Sequence, residues 1–134
     1  MTLYVDSSAL LKRYIAEPDS DLAERILGSD PGLVTGRHTV VEVRRTLARL
    51  LSGRALSTAK SDFGRDIEAF AIVELDSATC ELSAVIAEEL GVRSLDAMHL
   101  GCAQRLGSSA NTFATFDLRQ AQAARSLGFD VLGA

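Results

Sequence analysis

The chain has no tryptophan, two tyrosines and five phenylalanines, so it offers no row of aromatic side chains on which single-stranded bases could stack. Its two cysteines, Cys80 and Cys102, lack metal-ligand spacing. Both fall in expected helices and are read as buried, reduced, unpaired thiols. Two histidines without a cysteine cluster argue against a zinc site. Long apolar runs are missing too. The longest stretch free of charge is Leu106 to Phe116, far short of the about 20 apolar residues a membrane span needs. No basic segment followed by an apolar one opens the sequence, so no secretory signal is expected, and the expected location is cytoplasmic. Linkers, repeats and low-complexity segments are also lacking. The 134 residues read as one domain, 1–134, large enough to bury a core.

The net charge of −4 does not advertise a nucleic-acid binder, but its distribution is uneven. Between Gly36 and Arg65, seven cations (Arg37, Arg44, Arg45, Arg49, Arg54, Lys60 and Arg65) face only Glu42 and Asp62, a local balance of +5. Arg44, Arg45 and Arg49 fit either a solvated helix face or a surface that tracks phosphates or meets an acidic partner.

Hydrophobic periodicity supplies the elements. Leu3-Tyr4-Val5 is a short buried strand that runs into Asp6, Ser7 and Ser8 and then into a helix expected to reach Ala16, where Pro18 halts it. A second helix runs from Asp19 and Ser20 to Gly28, and Leu33 to Thr35 forms a strand. From Thr39 a helix carries Val40, Val43, Leu47 and Leu50 at spacings of three and four, with Gly53 as its expected end. Ser57 is expected to open the next, with Ala59, Phe63, Ile67 and Phe70 on one face. Ala71 to Leu75 is a strand. A helix capped by Asp76 and Ser77 then runs to Gly91. The helix from Ser94 is expected to turn Leu95, Met98, Cys102 and Leu106 inward. Thr112 to Phe116 is a strand ending in Asp117, and after a last helix Phe129 to Leu132 forms the final strand. Strands alternating with helices predict an α/β class fold: a single three-layer α/β/α domain around a short central parallel sheet.

Four acids stand where elements begin: Asp6, Glu42, Asp96 and Asp117. Each has a local explanation. Asp6 and Asp117 suit helix N-caps, Glu42 lies three residues after Thr39 as in a capping box, and Asp96 favours a helix N-terminus. Yet two of them end parallel strands, where ligands of open α/β sheets collect. Converging carboxylates repel unless a divalent cation neutralises them, and an oxygen-only ligand set suits Mg²⁺ or Mn²⁺. His99, three residues after Asp96, shares a helix face with it, which fits either a residue that orders or touches a bound metal or a packed, locally hydrogen-bonded histidine; the second is the expected reading, which leaves it outside the site.

Four blocks, Val5-Asp6-Ser7-Ser8-Ala9-Leu10-Leu11-Lys12, Val41-Glu42-Val43, Ser94-Leu95-Asp96-Ala97-Met98-His99-Leu100 and Thr115-Phe116-Asp117, resemble the signature of PIN domains, most closely the VapC toxins of type II toxin–antitoxin pairs. The resemblance spans Leu3 to Leu132 and leaves no acidic position vacant. It implies a PIN fold and a Mg²⁺- or Mn²⁺-dependent endoribonuclease in which Asp6, Glu42, Asp96 and Asp117 are catalytic and hold the metal. Ser8 and Thr115 match supporting positions. It also implies an RNA substrate, products with a 5′-phosphate and a 3′-hydroxyl, and a VapB-type antitoxin. A homodimer and a toxin–antitoxin hetero-oligomer are the expected assemblies, away from membranes. Arg44, Arg45 and Arg49 become candidate RNA or antitoxin contacts.

Three other readings compete with this one. A stand-alone RNA-processing nuclease would carry the same acids. A non-catalytic PIN-fold binding module would be expected to have lost some of them. A phosphoacceptor signalling domain would need adjacent acids at the first strand and a lysine near the last strands, and no lysine follows Lys60.

Overall fold

The computed structural model describes residues 2–134, apart from the side chain of Ser108. Five parallel strands, β1 (Thr2–Val5), β2 (Gly32–Gly36), β3 (Ala71–Val73), β4 (Thr112–Thr115) and β5 (Asp130–Gly133), form one sheet in the order β3-β2-β1-β4-β5. Seven helices connect and cover them: α1 (Ser7–Leu11), α2 (Ser20–Leu27), α3 (Thr39–Leu50), α4 (Gly53–Glu68), α5 (Ser77–Leu90), α6 (Ser94–Arg105) and α7 (Leu118–Ser126). Among the described residues no helix is long and apolar enough to cross a membrane.

β1 is the central strand, buried on both faces, which is why it reads as a continuous apolar run. Its side chains alternate between two cores. Leu3 and Val5 pack with Val43, Leu47 and Phe63 of α3 and α4. Tyr4 points the other way, stacking on Phe113 at 5.1 Å among residues of α5, α6 and α7. From β1 the chain builds outward through β2 to β3, then returns to the other side of β1 as β4. The order of winding therefore reverses between β1 and β4. The crevice outside the carboxyl ends of those two strands is where such sheets bind ligands.

Several local expectations need correction. α1 stops at Leu11 rather than Ala16, because the chain tightens into turns (Arg13 N–H to the Leu10 carbonyl, 3.1 Å; Tyr14 N–H to that of Leu11, 3.0 Å). Lys12 then pairs with Glu17 and Asp19 at 2.8 and 2.9 Å. Gly53 opens α4 instead of closing α3. The break falls at Leu51 and Ser52, both extended, and Gly53 supplies the positive φ of 59° that re-enters a helix. Strands β3 and β4 are shorter than expected, ending at Val73 and Thr115. On α6 Leu95 is exposed, and the inward face carries Ala97, His99, Leu100 and Cys102. Small residues there let α6 approach α5, with Gly101 facing Ser83. Both cysteines are free as expected, but Cys80 is exposed and only Cys102 is buried.

Candidate active site

Asp6 follows the last residue of β1, and its own N–H continues the ladder to the Ala114 carbonyl of β4 at 3.1 Å. It caps α1, its Oδ1 accepting from the Ala9 N–H at 3.1 Å and from the Ser8 hydroxyl at 2.7 Å. Ser8 is tied in turn to β4: it lies 3.2 Å from Thr115 Oγ1 and accepts the Phe116 N–H at 3.0 Å. Thr115 Oγ1 accepts the Asp117 N–H at 3.1 Å. Asp117 caps α7 through Oδ1 and the Gln120 N–H at 3.0 Å. The two hydroxyls thus join the Asp6 and Asp117 turns across the switch point. Gln120 also donates to the Asp96 carbonyl at 3.1 Å, tying α7 to the start of α6.

Glu42 does not form a capping box. His38, already helical, stands at the N-cap of α3 without a side-chain cap bond. The Glu42 carboxylate instead reaches across to α1 and α6. Its Oε1 accepts from the Ser7 hydroxyl at 2.7 Å and lies 2.7 Å from His99 Nε2. His99 is buried, with Nδ1 2.8 Å from the Tyr4 hydroxyl. A carboxylate oxygen only accepts, so Nε2 carries a proton, and in the neutral ring the Tyr4 hydroxyl donates to Nδ1. The His38 ring lies 4.1 Å from that of His99, with Nε2 3.8 Å from the same Glu42 oxygen.

Burial and charge separate the acids. Burial raises the Asp6 carboxyl above its ordinary 3.8, outweighing His99 and the hydroxyl donors that act to lower it. Burial also raises Asp96, with Asp117 adding to the effect against Arg93 and His99. Burial pushes Glu42 up as well, but the hydrogen bonds from His99 and the Ser7 hydroxyl outweigh it and hold the group below 4.5. His38 is pushed down to about 4 by burial and by His99, against Glu42 and the nearby Leu95 carbonyl.

Hydrogen bonding leaves three of the acids half-used. Asp6 and Asp117 are anchored through Oδ1 and Glu42 through Oε1, so each keeps its second oxygen for a ligand. Asp96 makes only a 3.4 Å pair between its Oδ2 and Arg93 Nε. It forms the common wall of two grooves. One, of about 320 Å³, runs to Glu42, Ser94 and Leu95, and the other, of about 450 Å³, runs past Arg93, Arg119 and Gln122. A buried aspartate whose charged form is penalised, with no ion-pair partner among the described residues, suits a divalent cation, and the free donors are the hard oxygens that Mg²⁺ and Mn²⁺ prefer.

The four acids do not form one tight cluster by themselves. Among the described residues the donor atoms within 4.8 Å of one another belong to His38, Glu42 and His99. The two histidines, whose number argued against a zinc site in the sequence, thus meet over one carboxylate. His99, expected outside the site, is bonded to a site acid, and Tyr4, Ser7 and His38 join it. The i,i+4 spacing of His38 and Glu42 was the one available signal. Arg44, Arg45 and Arg49 are exposed on α3 and form no ion pair among the described residues. Arg44 and Arg45 line a groove of about 400 Å³ together with Val40, Val41, Ala48 and Leu56.

The profile of the PIN domain matches residues 3–126, and the chain belongs to the PIN domain family. Within it, the chain is 32% identical over 130 residues to Ribonuclease VapC46 of Mycobacterium tuberculosis, covering 97% of this chain and 95% of the relative. It is 33% identical over 134 residues to Ribonuclease VapC35 of the same organism, at 97% and 95% coverage. Among solved structures, FitAB bound to a DNA fragment superposes with a TM-score of 0.78 at 20% identity, over 98% of this chain and 94% of that one. VapBC of Salmonella typhimurium bound to DNA gives 0.74 at 17%, over 99% and 98%. These two share the fold.

Proposed function

We propose that the chain, acting as one PIN unit over 1–134, is a divalent-metal-dependent endoribonuclease and the toxin of a toxin–antitoxin pair, working in the cytoplasm. The observation that carries the reading is the pair of aspartates at the sheet's switch point, each anchored by one oxygen with the other left free. The relatives named ribonucleases support the substrate class.

Asp6, Glu42, Asp96 and Asp117 would hold the ion, Mg²⁺ or Mn²⁺. When bound, such an ion supplies Lewis acidity toward water and phosphoryl oxygens. The chain's own residues do the rest. Ser8 and Thr115 fix the Asp6 and Asp117 turns relative to each other, and Ser7 and His99 fix the Glu42 rotamer. Arg93 and Arg119, along the larger groove beside Asp96, supply cations for flanking phosphates. The groove on α3 supports an antitoxin site. Val41, 69% exposed, lines it with Val40, Ala48 and Leu56 beside Arg44, Arg45 and Lys60, a fit for an amphipathic, acidic helix of a VapB-type antitoxin. Arg49, further along α3, adds to the basic charge. A homodimer within the toxin–antitoxin hetero-oligomer completes the proposal.

Incubating purified protein with RNA tests the reading. Cleavage with Mg²⁺ or Mn²⁺, its loss with EDTA, and 5′-phosphate ends are expected. Metal-independent cleavage, or none with any divalent ion, contradicts it.

A further inference from the structure

His38 is 6% exposed, and no hydrogen bond of normal geometry reaches either of its ring nitrogens among the described residues, the Leu95 carbonyl being nearby without completing one. Buried imidazoles ordinarily bond at least one nitrogen, because leaving both bare forfeits the bonds they made to water. The space for this ring is built into the backbone: a Cβ on Gly36 would come within 2.6 Å of His38 Cε1 and 2.8 Å of Nδ1. The ring is thus stored, unpartnered, against the Glu42 and His99 donors, one atom from each of the three lying within 4.8 Å of the others.

We propose that His38, Glu42 and His99 form a second metal site, one that takes a borderline transition-metal ion such as Zn²⁺ or Co²⁺ rather than Mg²⁺. Two imidazoles and one carboxylate are the donor set of three-ligand zinc centres, and nitrogen ligands discriminate against Mg²⁺. The separations fit. Donors around a tetrahedral ion with ~2.0–2.1 Å bonds stand about 3.3 Å apart, and the two distances to Glu42 Oε1, 2.7 Å from His99 and 3.8 Å from His38, bracket that value. Binding requires His99 to present a bare Nε2. Its proton moves to Nδ1, and the Tyr4 hydroxyl changes from donor to acceptor, so the ring stays neutral and keeps its buried bond. Because Glu42 serves both centres, a zinc-type ion draws its Oε1 from Ser7 and disturbs the oxygen-ligand site, which makes the second site inhibitory.

The chain has two histidines, so untagged protein loaded with Co²⁺ reports on the proposal directly. Paramagnetically shifted imidazole resonances from both rings are expected, removed by one equivalent of Zn²⁺. His38→Gln should weaken Co²⁺ binding at least 10-fold, whereas Asp117→Asn should leave the shifted resonances in place. Absence of shifted imidazole signals from the Co²⁺-loaded wild type overturns the proposal, as does their loss in Asp117→Asn. If His38→Gln fails to fold, the wild-type spectrum still decides. The readout is independent of RNA cleavage, so it stands or falls apart from the nuclease reading.

Discussion

His99 Nε2 lies 2.7 Å from Glu42 Oε1, joining α6 to α3 across 57 residues of sequence. The bond decides which Glu42 oxygen remains free toward the crevice, and it depends on a second one: the Tyr4 hydroxyl, 2.8 Å from Nδ1, fixes the tautomer. β1 thus contributes twice to the site, through Asp6 at its end and through a tyrosine buried behind it.

Tyr4→Phe keeps the stacking on Phe113 and removes only the hydroxyl. It leaves a buried imidazole nitrogen without a donor, a loss of about 1–3 kcal/mol in urea denaturation. Cleavage should fall by roughly 10-fold as Glu42 loses its orientation, mainly in kcat. Unchanged stability and rate would show that the His99 tautomer is not set by Tyr4.

Asp6 makes stability depend on pH and on metal. Its folded carboxyl titrates above the ordinary 3.8, so the native state binds more protons than the unfolded chain in the interval above that value. The metal-free protein therefore loses this contribution as pH rises through the interval. Above it, Mn²⁺ at 100 times its Kd should stabilise the wild type by about 2.7 kcal/mol. Asp6→Asn, which retains a capping oxygen, should flatten the pH slope, leaving the share of Asp96, and lose most of the metal response. Thermal melts at several pH values, with and without Mn²⁺, measure both.

Gly101 is where α6 meets α5. An added methyl would stand 2.1 Å from Ser83 Oγ and 3.2 Å from Ser83 Cα, and backbone cannot swing aside as a side chain can. Gly101→Ala should gain about 1 kcal/mol of helix propensity and still be destabilised, by about 1–3 kcal/mol of overpacking. A urea midpoint at or above wild type would mean that the two helices separate freely.

The strand and helix sequence was legible because β1 and β4 are buried on both faces and each is followed within two residues by an acid. Asp6 and Asp117 were visible for the same reason. Glu42 was visible as a position but not as a contact: Thr39 three residues before it invited a capping box, whereas its bonds go to Ser7 and His99, distant in sequence. On α6 Cys102 and Leu106 turn inward as expected, but Leu95 looked like core and is exposed. Beside Leu100 the buried face carries small residues and a histidine, whose burial is compensated by bonds to Tyr4 and Glu42. Nothing local marks such partners, since they come from other elements.

Asp96 separates a metal role from a structural one better than the other acids. Asp6 and Asp117 cap helices and Glu42 is bonded inward, but Asp96 makes one 3.4 Å pair with Arg93, whose side chain is 74% exposed. Surface pairs of that kind contribute about 0–1 kcal/mol, so Asp96→Asn should fold as the wild type does. The decisive measurement is its rate of RNA cleavage in saturating Mg²⁺. Loss of about 100-fold or more, with an unchanged circular dichroism spectrum and melting temperature, is the predicted result. A folded Asp96→Asn protein that cleaves RNA at the wild-type rate would contradict the four-acid metal centre.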